Sequence, residues 1–124
     1  MPHPVDPKLP AHFDETPNDE RPLSHLVWWE QPFIVTRAIE AMDTEYDQLG
    51  GTALAHWLAD GRARWLEAWP GGTRYEARCL DGGAWDRSTC WGFFGTLEQA
   101  EACCASGGPW RRGRDLVRAA KVVE

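Results

Sequence analysis

The chain has 124 residues, a formal net charge of −6 and 43% hydrophobic residues, which predicts one globular domain able to bury a core without disulfides. The negative charge disfavours nucleic acid as a partner, because the phosphate backbone is negative as well. No apolar run is long enough to span a membrane, and no basic region followed by an apolar core opens the chain. We therefore expect a cytoplasmic protein without a membrane span or a secretory signal.

The N-terminal segment has a composition of its own. It holds six of the nine prolines and five acidic residues. Proline fixes φ and removes a hydrogen-bond donor, so neither a helix nor a central strand suits this segment. We expect a flexible acidic arm over Met1–Ser24, either disordered or laid over the surface of one domain that spans residues 25–124. Leu26–Trp29 is short and apolar, which favours an edge strand or an anchor that docks the arm.

Two helices are predicted next. Apolar residues recur at three- and four-residue spacing over Phe33–Leu49, which is the pattern of an amphipathic helix. Gly50 and Gly51 would end this helix, because glycine accepts the left-handed conformation of a helix C-terminus. Thr52–Ala59 fits a second, short helix that Thr52 caps and Asp60-Gly61 closes.

The following part of the chain alternates between apolar and polar residues, which predicts strands. The predicted strands are Arg64–Trp69, Thr73–Leu80 and Thr89–Phe94. Their connections are too short for crossovers, so the sheet is expected to be an antiparallel meander. Thr96 followed by Gln99 is a capping-box pattern and predicts a helix that packs on the sheet. The fold class is therefore α+β, and the tail Arg114–Val123 would add a fourth strand or a helix.

Symmetric hairpins would sort the strand residues onto two faces. The face expected to pack on the core carries Leu66, Ala68, Tyr75, Ala77, Cys79, Cys90, Gly92 and Phe94. The other face carries Trp65, Trp69, Arg74, Arg78, Trp91 and Phe93. There Arg78 would lie between Trp65 and Trp91 and attract both indoles through cation–π interaction. One pair is unfavourable in this register, because Glu67 would face Glu76.

The face that carries tryptophan and arginine has two interpretations. It is either a second core layer, covered by the arm or a helix, or a partly open surface that binds a partner. Large aromatic side chains are usually buried, yet tryptophan and arginine are also concentrated in binding hot spots. The candidate binding residues are Trp65, Trp69, Arg74, Arg78 and Trp91 on this face, with Trp85, Asp86 and Arg87 in the loop before the last strand.

The sequence indicates neither a catalytic site nor a metal site. None of the usual zinc-site spacings occurs among the cysteines, so we expect free thiols, with structural zinc as the alternative. These cysteines are Cys79, Cys90, Cys103 and Cys104. His25 and His56 have no cysteine or acid at ligand or base spacing, and the glycine-rich segments lack the lysine of a phosphate loop. No cofactor, metal or catalytic residue is therefore predicted.

We interpret the chain as a small non-enzymatic protein that binds a protein partner through the tryptophan and arginine face. Self-association into a homodimer is left open. Basic residues are mostly arginine, which is typical of a GC-rich bacterium, and the small size fits an accessory protein of a mobile element that modulates a host factor. The alternative is a small-molecule pocket between helix and sheet, lined by Trp57, Tyr75 and Phe94. Catalysis comes third, because no acid–base pair is evident.

Overall fold

A computed structural model describes residues 3–107 of the chain. The elements in chain order are a 3-10 turn Asn18–Glu20, α1 (Leu23–Leu26), β1 (Phe33–Ala38), α2 (Ile39–Leu49), α3 (Gly51–His56), a π-helical turn Trp57–Gly61, α4 (Arg62–Ala68), β2 (Thr73–Cys79), β3 (Thr89–Phe94) and α5 (Leu97–Ser106). The predicted tail element Arg114–Val123 lies outside the described residues. None of the helices within residues 3–107 combines the length and the apolar character needed to cross a membrane.

The three strands form one antiparallel sheet in the order β1-β2-β3, and α5 packs against it. The predicted α+β class, with a three-stranded antiparallel sheet and a packing helix, is confirmed. The predicted cap of that helix is present as well. The Thr96 side chain accepts a hydrogen bond from the backbone N–H of Gln99 at 3.2 Å, and Gly107 ends the helix in the left-handed conformation.

The first strand of the sheet is not the predicted one. Phe33–Ala38, expected to begin the main helix, is β1, and the helix starts only at Ile39. Aromatic and β-branched residues such as those of β1 fit a pleated sheet. The backbone of Ile34 also finds strand-like partners, since its N–H donates to the C=O of Pro4 and its C=O accepts from the N–H of Asp6. The arm on one side and β2 on the other thus replace the hydrogen bonds of a helix.

Arg64–Trp69, expected as a strand, belongs to helix α4. The backbone stays helical from α3 through the π-helical turn, and Gly61 does not end it. A Cβ at Gly61 would lie 2.8 Å from Cε3 of the Trp57 indole, so glycine here lets the indole lie against the helix. Trp65 packs with Trp57 and Ile39 in a buried cluster. Helical and strand periodicity cannot be distinguished over a segment of six residues. The packing of Trp65 in this cluster stabilises the helix.

The sheet has one face that α5 covers and one that carries arginines. On the helix face, Ile34 and Ala77 are fully buried against Ala100, Cys103 and Cys104. The opposite face, called the arginine face, follows from the cross-strand pairs, because directly opposed residues share a face. It comprises Phe33, Val35, Arg37, Arg74, Glu76, Arg78, Phe93 and Cys90. Cys90 was expected on the core face, but it pairs with Arg78.

A β-bulge in β3 changes the position of Trp91. Ala77 pairs with Gly92 as expected, but Arg78 pairs with Cys90, so Trp91 is an extra residue between them. Trp91 was expected opposite Arg78 on the same face. Its side chain instead packs against the core of the helix face, because the bulge bends the strand and re-aims the side chain. The predicted row of indoles across three strands is therefore wrong.

The N-terminal arm lies against the rest of the domain, which is one of the two arrangements expected for it. Phe13 packs with Phe33 and Leu80 in a buried cluster. Val5 forms a parallel bridge to Ile34 on the outer edge of β1. Contacts thus cross the boundary predicted at residue 24, and the division of the chain there stays a prediction.

The helical assignment of α4 leads to a test with two neighbouring residues. Trp65→Ala should lower the free energy of unfolding by about 3–5 kcal/mol, because the indole is buried in the core. Leu66→Ala should lower it by less than about 1 kcal/mol, because Leu66 faces solvent in the helix. Urea unfolding followed by circular dichroism measures both. If Leu66→Ala lowered the free energy of unfolding more than Trp65→Ala, the segment would instead be a strand with Leu66 facing the core.

Candidate functional site

The arginine face is organised around one carboxylate. Glu76 is only 3% exposed, and three guanidinium groups donate hydrogen bonds to it. Its Oε2 accepts from Nε of Arg37 at 3.1 Å and from Nη2 of Arg74 at 2.9 Å, and its Oε1 accepts from Nη1 of Arg78 at 3.0 Å. Strand β2 supplies Glu76 and two of the arginines, because residues two apart on a strand share a face. Arg37 reaches the carboxylate from β1.

Arg74 is held between two aromatic rings. Its Cζ lies 4.7 Å from the ring centroid of Trp65 and 4.3 Å from that of Phe93. Both distances are in the range of cation–π interactions. Trp65 is itself fixed, since it is buried and its Nε1–H donates to the C=O of Gly72 at 3.2 Å. The two rings and Glu76 together restrict the guanidinium to one orientation.

Arg78 connects the arginine face to the N-terminal arm. Its Nη2 donates to the C=O of Ser88 at 2.8 Å, and its Nε donates to the Ser88 Oγ at 3.0 Å. The N–H and hydroxyl of Ser88 donate in turn to Asp14 of the arm. Phe13 of the arm covers Phe33, the cross-strand partner of Arg78. The arm therefore closes one end of the face.

The arginine face is open to solvent on either side of its central strand. Arg37 on β1 has a side chain that is 47% exposed, and Phe93 on β3 is 49% exposed. On β2 between them, the side chains of Arg74 and Arg78 are only 23% and 16% exposed. Three guanidinium groups minus one carboxylate leave the cluster a net charge of +2, on a chain whose total is −6. Trp65 therefore belongs to a core layer, whereas Arg37 and Phe93 are exposed. Binding of a partner by this face stays a prediction.

The pKa of Glu76 lies below its ordinary value. Burial by itself raises the pKa, because desolvation disfavours the charged form. The hydrogen bonds and charges of Arg74 and Arg37 outweigh that effect and lower the pKa overall. The carboxylate is therefore ionised at neutral pH and keeps the guanidinium groups in place.

The structure brings together only part of the predicted site. Arg74 and Arg78 lie on the arginine face, and Trp65 reaches Arg74 from helix α4. Trp69 follows the same helix and packs partly against the helical core. Trp91 lies on the helix face of the sheet, away from the cluster. The predicted arrangement of these residues is corrected, while their role in binding stays a prediction.

The loop between β2 and β3 carries the other predicted residues. Trp85 is 70% exposed, and Asp86 and Arg87 form a surface ion pair at 3.8 Å. Asn18 of the arm ties the loop down, since its side-chain amide donates to the C=O of Ala84 at 2.6 Å and its N–H donates to the C=O of Trp85 at 2.8 Å. The loop is thus a second exposed surface, separate from the carboxylate and its arginines.

The sequence prediction missed Arg37 and Glu76 as members of the site. It included Arg37 only as part of the predicted helix Phe33–Leu49 and treated Glu76 as an unfavourable neighbour of Glu67. A usable signal was present for Glu76, because Arg74, Glu76 and Arg78 alternate within one predicted strand and must share a face. No such signal was present for Arg37, since its own segment has the spacing of a helix.

A groove of about 440 Å³ lies on the helix face, between β3 and α5. It is lined by Trp91, Gly92, Phe94, Gln99, Ala102, Cys103 and Ser106. The Nε1–H of Trp91 donates to Asp81 at 2.9 Å, which fixes the indole. The Phe94 ring lies over Gly92, where a Cβ would come within 2.8 Å of it. The groove is therefore mostly apolar, with aromatic walls.

The ligand pocket predicted from the sequence is only partly present. Phe94 lines the groove, and Tyr75 packs nearby against the core of the helix face. Trp57 lies elsewhere, stacked on Tyr46 at 4.6 Å between ring centroids and donating through Nε1–H to Asp43 at 2.7 Å. The helical course of the chain through Gly61 holds Trp57 in that cluster, away from the groove.

Three of the four cysteines are buried, namely Cys79, Cys103 and Cys104, and Cys90 is half-buried. Burial raises the pKa of Cys104 to about 12 and also raises the pKa of Cys90, so neither is an activated nucleophile. In the part of the chain that the structure describes, no group of three or more His, Cys, Asp or Glu side chains could hold a metal ion.

Comparisons of the chain with protein-family models, curated proteins and solved structures gave no match. Its function is therefore inferred from the chemistry of the arginine face and of the groove.

The buried carboxylate leads to a stability prediction. Glu76→Gln should lower the free energy of unfolding by about 3 kcal/mol at neutral pH, because three guanidinium groups lose their counter-charge. Glu67→Gln, exposed on α4, is the matched control and should change it by less than about 0.5 kcal/mol. Chemical denaturation of both variants measures the difference. Equal small effects would show that Glu76 does not hold the cluster together.

The lowered pKa of Glu76 also predicts how the stability of the protein depends on pH. The pKa of Glu76 is lowered in the folded protein, so its stabilising effect is fully present above the ordinary value of 4.5. It is lost as the pH falls through the folded-state pKa. The stability difference between the natural chain and Glu76→Gln should therefore shrink as the pH is lowered below 4.5. Denaturation midpoints measured in a pH series test this, and a difference that grows in acid would contradict it.

Proposed function

We propose that the protein is a non-enzymatic binding module that recognises an acidic segment of a partner protein through the open part of its arginine face. The observation that carries the proposal is the convergence of Arg37, Arg74 and Arg78 on the buried carboxylate of Glu76. The cluster has more positive than negative groups and lies beside an exposed aromatic ring, Phe93. Arginine and aromatic residues of this kind carry much of the energy of protein interfaces.

Glu76 supports this function by holding the arginines in position. A free arginine side chain loses rotamer entropy when a partner immobilises it. Here Arg74 is already fixed by two rings and a carboxylate, and Arg78 by Glu76 and Ser88. Binding a carboxylate of the partner therefore costs little additional ordering. Guanidinium groups also suit carboxylates because their planar donors match the two oxygens.

The charge distribution favours the same class of partner. The chain as a whole is negative, so a local excess of positive charge directs an acidic segment to one place. The exposed Trp85 in the β2–β3 loop offers a further apolar contact outside the cluster. An accessory protein that modulates a host factor, as interpreted from the sequence, is part of this proposal. The cytoplasmic location and a homodimer stay predictions.

A second function, binding of a small apolar ligand, is favoured by the groove between β3 and α5. Its volume of about 440 Å³ is within the range of small-molecule sites, and Trp91 and Phe94 provide aromatic walls. The uncharged dye 1-N-phenylnaphthylamine is a suitable probe. We expect its fluorescence to rise on binding and the rise to be lost in Phe94→Ala. Leu66→Ala, on helix α4 and outside the groove lining, is the control. An equal rise in fluorescence in both variants would show that the dye does not bind in the groove.

The arginine face is tested with a random peptide library displayed on phage. We expect the natural chain to enrich peptides that contain aspartate or glutamate beside an apolar residue. Arg37→Glu should weaken binding of these peptides by about tenfold or more, because it replaces an exposed positive group of the face by a negative one. Higher salt should weaken binding as well.

Arg64→Glu is the matched control for this experiment. Arg64 is exposed on α4 and pairs with Asp60, outside the cluster. Its replacement makes the same charge change and should leave peptide binding unchanged, and thermal unfolding verifies that both variants are folded. Enrichment of peptides without acidic residues, or equal binding to both variants, would contradict the proposed function.

A further inference from the structure

The two edges of the sheet differ in how their backbone groups are satisfied. On the outer edge of β1, Ile34 exchanges hydrogen bonds with Pro4 and Asp6 of the arm, and the N–H of Thr36 donates to the Asp6 carboxylate. On the outer edge of β3, no backbone hydrogen bond to any other residue within 3–107 is found. An edge strand of this kind is a template for pairing with another chain.

The hydrogen bonds of Ile34 also fix which backbone groups face that second edge. The N–H and C=O of Ile34 both point to the arm and therefore away from β2. Its cross-strand partner Ala77 consequently directs its own N–H and C=O away from β1, toward Gly92 of β3. Antiparallel ladders alternate residue by residue, so Phe93 directs its N–H and C=O away from β2. The regular part of the free edge thus presents one donor and one acceptor, both on Phe93.

The surroundings of Phe93 differ on the two sides of the sheet. On the arginine face, its side chain lies beside the guanidinium of Arg74, 4.3 Å from ring centroid to Cζ. On the helix face, its neighbours Gly92 and Phe94 line the apolar groove against α5. A strand added beside β3 would place alternate side chains on these two sides.

We propose that the acidic partner binds as an extended strand on the outer edge of β3, antiparallel to it. Its central residue is acidic, faces Phe93 and reaches Arg74, while the residues on either side are apolar and enter the groove. This inference rests on the proposed function and adds the conformation and residue pattern of the partner. The charge of the arginine face selects the acid, and the groove selects its apolar neighbours.

The bulge at Trp91 sets the length of the added strand. Regular pairing geometry in β3 extends over Gly92–Phe94, and the extra residue interrupts it on the other side. The partner segment is therefore short, with the apolar–acidic–apolar triplet as its centre. Trp91, held by Asp81, forms the wall of the groove at the interrupted end.

The inference is tested with a fluorescein-labelled peptide, Thr-Thr-Val-Glu-Val-Thr-Thr with blocked ends, titrated with the full chain in a polarisation assay. N-methylation of the central glutamate removes the N–H that pairs with Phe93 and should weaken binding about tenfold. N-methylation of the following valine is the matched control, because its N–H points away from β3 and its loss should leave affinity unchanged. Replacing the glutamate by glutamine should also weaken binding about tenfold, through the lost charge opposite Arg74.

The outcomes separate this inference from the proposed function. If both N-methylated peptides bind equally while the glutamine peptide binds weakly, the acidic recognition stands and strand addition is excluded. If the peptide does not bind but library-selected acidic peptides do and Arg37→Glu weakens them, strand addition fails alone. If no acidic peptide binds in either experiment, both the inference and the proposed function fail.

Discussion

The ionised carboxylate of Glu76 is the constraint on which the arginine face depends. A charge that is only 3% exposed must be matched by partners, and three guanidinium groups from two strands supply them. This arrangement also fixes the register of β1 on β2. A shift of β1 by one residue would turn Arg37 toward the apolar helix face and would turn Ile34, which is fully buried there, toward Glu76. Charge pairing therefore determines how the strands align as well as which face of the sheet is polar.

Buried ion pairs are often no more stabilising than apolar residues of the same size. An apolar side chain in place of Glu76 would leave Arg37, Arg74 and Arg78 without a common anchor. The carboxylate orients these side chains, and the aromatic rings of Trp65 and Phe93 add a second restraint on Arg74. The resulting surface is ordered before any partner arrives. This order is the physical reason for proposing a binding role for the face.

Parts of the fold were predictable because short-range patterns determine them. Strands β2 and β3 have period-two alternation, and Thr96 with Gln99 marks the start of α5. Two segments were assigned to the wrong element. The segment that begins at Phe33 contains both a strand and a helix, and its apolar spacing fits a helix throughout. The segment around Trp65 alternates for six residues in sequence, yet it continues a helix that Gly61 does not stop.

By itself, the sequence determined that Arg74, Glu76 and Arg78 share one face of a strand, because alternation along an extended backbone needs no information from elsewhere. It also determined the helix after Thr96, because the cap is a local hydrogen bond. Only the tertiary structure decided that Arg37 joins the cluster, that the arm occupies the outer edge of β1, and that a bulge moves Trp91 to the other side. Each of these depends on which backbone groups meet across long distances in sequence. That choice follows from the satisfaction of all buried polar groups together, and no single segment contains it.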